Sequence, residues 1–107
     1  MKIQPITDCN LNVFLRKHDN FVVDFWAPWC QPCKAVTPRL KALAQEFRGR
    51  ITFAKISIDR CPKVAEKFKV KSIPTLLLFR KREMIGRISG EYNESELKRR
   101  IESAFSE

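Results

Sequence analysis

The feature that most constrains the fold of this chain is the alternation of strand-like and helix-like apolar patterns. Residues 21–26 form a continuous apolar run that contains one acid, Asp24, which is typical of a buried strand. Residues 31–47 place apolar side chains at helical spacing, and Pro38 is expected to kink that helix. Residues 51–58 then alternate apolar and polar side chains, as a strand does. This strand–helix–strand order predicts a parallel sheet with helices packed against it.

The remaining segments extend this pattern. One short helix precedes the unit, and another begins at Pro62. Residues 75–79 form another apolar strand, and residues 84–88 are expected to pair with it as an antiparallel hairpin across the basic turn of Arg80, Lys81 and Arg82. Asn93 begins a last helix, with Glu96 placed as in a capping box. We therefore expect an α/β fold in which helices flank a central mixed sheet of four or five strands, the fifth being a short strand before the first helix.

Length and charge limit the class of protein. With 107 residues the chain has the size of one domain, and we expect residues 1–107 to form it. The N-terminus has no apolar signal segment and no run approaches membrane-spanning length, so we expect a cytoplasmic protein with no membrane partner. The formal net charge of +9 favours acidic partners. Because the basic residues are spread along the chain, we interpret them as a solvated surface and expect no specific nucleic-acid binding.

Two cysteines stand where the first long strand meets its helix. Cys30 comes just before the helix and Cys33 lies one turn inside it, which puts both sulfurs on the same face. The unpaired N–H groups of a helix N-terminus stabilise a thiolate, and the sulfur that they favour here is that of Cys30. The thiolate is the species that attacks in disulfide exchange. The strand–helix context therefore predicts a redox-active pair.

Metal binding is the main alternative for these cysteines. A Cys-x-x-Cys pair can form half of a zinc site, but completing it would take Cys9, Cys61 or His18, which have no ligand-like spacing. We therefore expect no metal and no bound cofactor, and we interpret His18 as a surface residue. In a cytoplasmic protein the four cysteines are expected to be metal ligands or redox-active groups rather than a disulfide framework. Cys9 and Cys61 are interpreted as inert rather than catalytic, with Cys61 open to side oxidation.

Several motifs together resemble those of the thioredoxin family over essentially the whole chain. The segments that carry the resemblance are residues 22–34 (VVDFWAPWCQPCK), 54–56 (AKI) and 72–75 (SIPT), and Gly90. Each is weak evidence alone, but their combination is highly specific. The resemblance implies the thioredoxin fold and a monomeric thiol–disulfide oxidoreductase that reduces disulfides of protein substrates. It also implies a thioredoxin reductase, either an NADPH flavoprotein or a ferredoxin-linked enzyme, that restores the dithiol.

The resemblance further implies a division of labour at the catalytic residues. Cys30 would be the exposed nucleophile and form a mixed disulfide with the substrate, which the buried Cys33 would then attack. Asp24 would lie beneath Cys33 and help to remove its proton, with Lys55 modulating that carboxylate. Independently of the resemblance, the apolar neighbours of Asp24 favour its burial, and burial raises the pKa of a carboxyl group. Lys55 is equally well explained as a solvated side chain.

The resemblance also implies a surface on which the substrate docks. The residues assigned to it lie beside the cysteines or in the later motifs: Trp29, Gln31, Pro32, Ile73, Pro74 and Gly90. Pro74 would be cis and face the cysteines, and the backbone of Ile73 would pair with an extended substrate segment. Without the resemblance a trans proline would be expected, because only about 5–6% of X–Pro bonds are cis. Trp29 is also compatible with simple packing, and Gly90 with a backbone requirement alone.

Two positions depart from the common pattern of the family. Many thioredoxins have Gly where this chain has Gln31, which leaves the redox potential and the choice of partners open. The family often has Gly in the late hairpin turn, where this chain has Arg82, so the turn type is also open.

The alternatives to a reductase are a disulfide oxidase or isomerase on the same fold and a non-catalytic binding module.

Overall fold

The computed structural model describes residues 3–106. Its elements in chain order are β1 (Gln4–Pro5), α1 (Leu11–Lys17), β2 (Asn20–Trp26), α2 (Gln31–Glu46), β3 (Thr52–Ser57), α3 (Pro62–Lys67), β4 (Thr75–Arg80), β5 (Glu83–Ser89) and α4 (Glu94–Phe105). This is the predicted order, including the short strand before the first helix. Within the described part of the chain, no helix combines the length and apolar character needed to cross a membrane.

The strands form one mixed sheet in the order β1-β3-β2-β4-β5. β3 pairs in parallel with β1, where Pro5 is opposite Lys55, and in parallel with β2. β4 pairs antiparallel with β2 on one side and with β5 on the other. The central strand β2, which precedes Cys30 and Cys33 in the chain, is therefore paired with a neighbouring strand on each side. This confirms the predicted fold class, an α/β fold with helices flanking a mixed sheet.

Alternate residues of β2 face two different cores. Val22 belongs to a cluster that packs against α2 and α4 through Leu40, Leu43, Leu97 and Ile101. Val23 and Phe25 belong to a second cluster, which packs against α1 and α3 through Leu11, Leu15 and Ala65. Because side chains alternate along a strand, Asp24 projects from the same face as Val22. The carboxyl group is therefore on the α2 side of the sheet.

Helix α2 begins directly after Cys30 and carries Pro32 in its first turn, where a proline is tolerated. Pro38 lies inside the helix, and its missing N–H leaves the carbonyl of Lys34 without the usual helical donor. The helix nevertheless continues to Glu46. Its buried face includes Cys33, Val36, Leu40, Leu43 and Ala44, which fixes the helix against the sheet.

The last helix has half of the predicted capping box. The side chain of Asn93 accepts a hydrogen bond from the backbone N–H of Glu96 at 2.8 Å. The carboxylate of Glu96 does not return to Asn93 but accepts hydrogen bonds from Arg99 and Arg100 along the same helix. Leu97 and Ile101 are buried, and Phe105 is partly buried against the same core.

The hairpin between β4 and β5 turns through two residues, Lys81 and Arg82. Arg80, assigned to this turn from the sequence, is the last residue of β4. Lys81 and Arg82 have φ angles of 50° and 71°, in the left-handed region that favours glycine. A type I′-like turn requires positive φ at both central residues, which explains why glycine is common there. The backbone N–H of Lys81 donates to the carbonyl of Asp19 at 2.7 Å.

Candidate redox site

Cys30 and Cys33 form a disulfide at the N-terminus of α2, with their Cα atoms 5.3 Å apart. Cys30 is the N-cap residue, and its Sγ accepts a hydrogen bond from the backbone N–H of Cys33 at 3.2 Å. After reduction the same N–H and the positive end of the helix dipole stabilise a thiolate at Cys30. The geometry therefore distinguishes the two sulfurs chemically.

Burial distinguishes the two cysteines less than expected. Cys30 is only 5% exposed and Cys33 1% exposed, so the expectation that Cys30 is exposed is wrong for the disulfide form. Both pack with Ala27 and against the partly buried Trp26 and Ile73. The helix starts at the edge of the apolar core, and the surrounding side chains cover the two cysteines. The small remaining exposure makes Cys30 the more accessible of the two.

Asp24 is the buried acid of the site. Asp24 is 3% exposed, and its Oδ1 has no hydrogen-bond partner within residues 3–106. Burial raises the pKa of Asp24 from 3.8 to about 7, and the positive charge of Lys55 offsets part of that rise. Asp24 lies on the face of the sheet that α2 covers. A carboxyl group with this pKa can take up or release a proton near neutral pH.

Lys55 is half-buried rather than fully solvated. It follows Ala54 on β3, which faces the second core, so Lys55 projects to the α2 face. Its Nζ lies 5.0 Å from the centroid of the Trp26 ring. An ammonium group held over an aromatic face is attracted by the ring quadrupole. The lysine charge is therefore kept on the same side of the sheet as Asp24.

The loop before β4 lies against Cys30. The Ile73–Pro74 peptide bond is cis, and the backbone oxygen of Ile73 is 3.9 Å from the Sγ of Cys30. The N–H of Gly90 donates to the carbonyl of Pro74 at 2.9 Å, which joins the end of β5 to this loop. Gly90 has a φ of 110°, where other residues are strained. The backbone conformation at this position therefore favours glycine, and a contact of Gly90 with substrate would be a separate role.

Trp29 is 64% exposed beside the disulfide. Its indole Nε1–H donates to both carboxylate oxygens of Asp59, at 3.0 and 3.2 Å. The ring is therefore held in place although it faces solvent, which argues against a purely packing role. Sequence reasoning did not find Asp59, because it lies 30 positions from Trp29 and no local pattern marks it.

Comparison with known proteins decides the family. The family model described as Thioredoxin matches residues 2–103. The chain belongs to the thioredoxin family. Its membership accounts for the cysteine pair at the helix N-terminus, the buried acid and the cis proline in one small α/β fold.

Relatives and solved structures agree with this membership. The chain is 40% identical over 98 residues to a thioredoxin of Buchnera aphidicola subsp. Schizaphis graminum, covering 91% of both proteins. It is 36% identical over 106 residues to the chloroplastic M-type thioredoxin of Spinacia oleracea, covering 98% of this chain and 59% of that protein. Oxidised mitochondrial thioredoxin 3 of Saccharomyces cerevisiae matches with a TM-score of 0.85 at 31% identity, covering 94% of both chains. The protein is a thioredoxin-type protein-disulfide reductase with Cys30–Cys33 as its redox disulfide.

The two residues between the cysteines of this thioredoxin are both exposed. Gln31 and Pro32 form the first turn of α2 and face solvent. An incoming protein that reaches Cys30 would therefore meet both side chains. Their placement is compatible with the predicted role in substrate binding, which remains a prediction.

The other cysteines of the thioredoxin require a correction. Cys9 and Cys61 form a second disulfide, so the expectation against a structural disulfide is wrong for this pair. Cys61 is only 2% exposed, so the expectation that it is open to side oxidation is also wrong. They are brought together by tertiary contacts that sequence spacing does not reveal. His18 is half-buried, with its Nδ1 3.2 Å from the hydroxyl of Thr52. Within residues 3–106 no group of three or more His, Cys, Asp or Glu side chains is arranged to hold a metal ion.

Proposed function

We propose that this thioredoxin donates electrons to protein disulfides, with Cys30 as the attacking residue and Cys33 as the resolving residue. The Cys30 thiolate attacks one sulfur of a substrate disulfide, forms a mixed disulfide and releases one substrate thiolate. The Cys33 thiolate then attacks the Cys30 sulfur, which releases the second substrate thiolate. The substrate gains two electrons and becomes a dithiol, while the Cys30–Cys33 disulfide forms.

The observation that carries this assignment is the hydrogen bond from the Cys33 N–H to the Cys30 sulfur. It stabilises negative charge on Cys30 only, and Cys33 lacks both this donor and the N-cap position. Nucleophilic attack therefore begins at Cys30. The internal attack by Cys33 then has the advantage of proximity, because the two Cα atoms are 5.3 Å apart.

Asp24 has the properties of a proton acceptor for the resolving step. Cys33 is 1% exposed and must lose its proton in surroundings that disfavour the thiolate. Burial raises the pKa of Asp24 to about 7, which is closer to that of a thiol than the usual carboxyl value. The proton would pass from Cys33 to the carboxylate, directly or through a water molecule. Lys55 would adjust the basicity of the acceptor through its charge.

The docking of substrate is assigned to the surface around Cys30. The backbone of Ile73 takes part in no main-chain hydrogen bond within the described residues, so its groups are available to an extended substrate segment. The exposed Trp29 ring lies on one side of Cys30, and Gly90 lies beyond Pro74. Gln31 and Pro32 complete this surface.

The family implies a reductase that returns electrons to Cys30–Cys33, and we assign that role to an NADPH flavoprotein or a ferredoxin-linked enzyme. We assign the protein to the cytoplasm as a monomeric single domain of residues 1–107. No bound cofactor is needed, because both electrons move through sulfur. Fractionation of cells and size-exclusion chromatography test the location and the oligomeric state.

The function is tested by coupled reduction of a protein disulfide with dithiothreitol as electron source. Wild type should accelerate the reduction, and Cys30→Ser should bring the rate to the uncatalysed value. Ser103→Ala, on the exposed side of α4, is the matched control and should retain the wild-type rate. Full biological activity of a Cys30→Ser/Cys33→Ser variant in cells would instead support a binding module.

A further inference from the structure

A second disulfide joins two segments that are far apart in the chain. Cys9 precedes α1 and Cys61 is the N-cap residue of α3, with a sequence separation of 52 and a Cα–Cα distance of 5.4 Å. The redox disulfide, by comparison, joins cysteines only 3 apart. The Cys9–Cys61 bond therefore fastens the N-terminal segment to the loop that follows β3.

The same two segments are held together by other contacts. The Nε of Arg60 donates to the carbonyl of Thr7 at 2.8 Å, and the N–H of Ile6 donates to the carbonyl of Lys55 at 2.8 Å. These contacts hold the two segments together alongside the disulfide. A pair of thiols held in this way has a high effective concentration, which favours the closed bond over two free thiols.

The surroundings of Cys61 differ from those of Cys30. Both are N-cap residues, but the Cys30 sulfur accepts a backbone N–H, whereas the Cys61 side chain accepts no capping hydrogen bond. Cys61 is also 2% exposed and belongs to an apolar cluster with Leu11 and Ala65. A thiolate released at Cys61 would therefore lack the stabilisation that Cys30 receives, and reduction of this disulfide is less favourable.

Cys9 is the accessible sulfur of the pair. It is partly exposed and lines a cavity of about 210 Å³ together with Asn10, Lys63 and Lys67. A small thiol or disulfide reagent would therefore reach Cys9 first, and Cys61 would act as the internal partner.

The loop that ends at Cys61 also carries the contact to Trp29. Asp59 stands two residues before Cys61, and both of its carboxylate oxygens accept the indole N–H of Trp29. Arg60, between them, holds Thr7. A continuous path of covalent and hydrogen bonds thus connects Cys9 with the tryptophan beside Cys30.

We propose that Cys9–Cys61 is a structural disulfide that stays closed while Cys30–Cys33 cycles, and that it positions Trp29 by bracing Asp59. Its formation needs a low-molecular-weight disulfide as oxidant. The Cys9 thiolate attacks that disulfide and releases one small thiolate, and the Cys61 thiolate then attacks the Cys9 sulfur and releases the second. The protein loses two electrons and the small disulfide gains them. An effect of this disulfide on substrate docking rests on the proposed function, in which Trp29 is part of the docking surface.

Thiol counting on two matched variants tests the persistence of the bond. Cys30→Ser/Cys33→Ser retains only the Cys9–Cys61 pair, and Cys9→Ser/Cys61→Ser retains only the redox pair. Each is equilibrated with dithiothreitol at graded ratios of reduced to oxidised reagent and then alkylated. Cys9–Cys61 should require a ratio at least about tenfold higher for half-reduction. Half-reduction of both pairs at the same ratio would overturn the proposal.

Opening the bond in the Cys30→Ser/Cys33→Ser variant tests the bracing role without further substitution, so the test does not depend on the folding of Cys9→Ser/Cys61→Ser. The reduced form should melt at least about 5 °C below the oxidised form, because a long loop is no longer closed. The indole N–H resonance of Trp29 should shift and exchange faster with solvent, while that of Trp26 serves as internal control. An unchanged Trp29 resonance on opening would overturn the bracing role.

These readouts separate the inference from the proposed function. If Cys30→Ser retains reductase activity, the proposed function is wrong, whereas the thiol counts and the Trp29 resonance still judge the second disulfide. If both pairs open together but Cys30→Ser is inactive, only the inference is wrong.

Discussion

Asp24 and Lys55 lie directly opposite each other in the parallel pairing of β2 with β3. Asp24 is buried and Lys55 is half-buried, so the two side chains differ in their exposure to solvent. Burial raises the pKa of Asp24 to about 7, and the nearby ammonium group counteracts only part of this effect. The register of this strand pair thus places a buried carboxyl group with a raised pKa beside a lysine on the α2 side of the sheet.

The stability of Asp24→Asn relative to wild type should depend on pH. Because the pKa of Asp24 is raised from 3.8 to about 7, the neutral carboxyl group favours the fold. Its contribution is complete below the unfolded value and is lost as the pH rises through about 7. The advantage of Asp24→Asn in free energy of unfolding should therefore be smallest near pH ~4 and grow by roughly 2–4 kcal/mol by pH ~8.

Urea unfolding of the oxidised proteins across this pH range measures the effect. Asp19→Asn is the matched control, because Asp19 is exposed and loses little hydration on folding. A difference between Asp24→Asn and wild type that stays constant with pH would contradict the prediction. A large loss of stability in Asp24→Asn would make Asp24 a structural hydrogen-bonding residue.

Asp24→Asn should slow the resolving step more than the first attack. The amide cannot accept the proton of buried Cys33, whereas Cys30 keeps its hydrogen bond from the helix. We expect at least a roughly tenfold slower release of substrate from a mixed disulfide at Cys30. Stopped-flow measurement of both steps decides the matter, and equal slowing of both would contradict a role specific to resolution.

The two single cysteine variants should behave differently toward substrate. Cys33→Ser still presents the stabilised Cys30 thiolate, so it should attack and then remain trapped as a mixed disulfide. Cys30→Ser should form almost no such adduct, since Cys33 is 1% exposed. Mass spectrometry after acid quenching counts the adducts, and comparable trapping by both variants would reverse the assignment of roles.

The redox potential of Cys30–Cys33 should lie near the reducing end of the family range. Thioredoxins of this kind have values of about −270 mV, and strong oxidants about −120 mV. Gln31 is uncharged and Pro32 is retained, so neither adds a charge that would stabilise the thiolate further. Equilibration with dithiothreitol measures the potential, with Gln31→Gly as matched variant. A value above about −200 mV would indicate oxidase or isomerase function.

Salt should slow the reduction of acidic protein substrates. The formal charge of +9 attracts negatively charged partners, and salt screens that attraction over about 8–10 Å at moderate ionic strength. We expect the second-order rate to fall several-fold between low and high salt, with a neutral disulfide peptide as control. Equal salt dependence for the acidic and neutral substrates would show that the surface charge does not steer docking.

The sequence predicts the fold and the redox pair because both depend on local patterns. The periodicity of β2 and α2 is visible in consecutive residues, and so is the placement of Cys30 at their junction. The contacts that escaped prediction are all long-range. Asp59 lies 30 residues from Trp29, and Cys9 lies 52 residues from Cys61, so no local pattern in the chain marks either contact.

The position of Arg80 at the turn between β4 and β5 escaped prediction for a different reason. Arg80 was expected in the turn from the basic run that it shares with Lys81 and Arg82. The pairing of β4 with β5 extends through Arg80 opposite Glu83, which leaves two residues to reverse the chain. The pairing of the two strands therefore determines the turn. Lys81 and Arg82 adopt a backbone conformation for which glycine is better suited.

One edge of the sheet ends in a strand of only two residues, and the second of them is Pro5. An unpaired strand edge invites other chains to add to it, which leads to aggregation. Proline offers no N–H to such a chain, and so short a strand gives it little to pair with. This edge of the sheet is thereby protected against unproductive self-assembly.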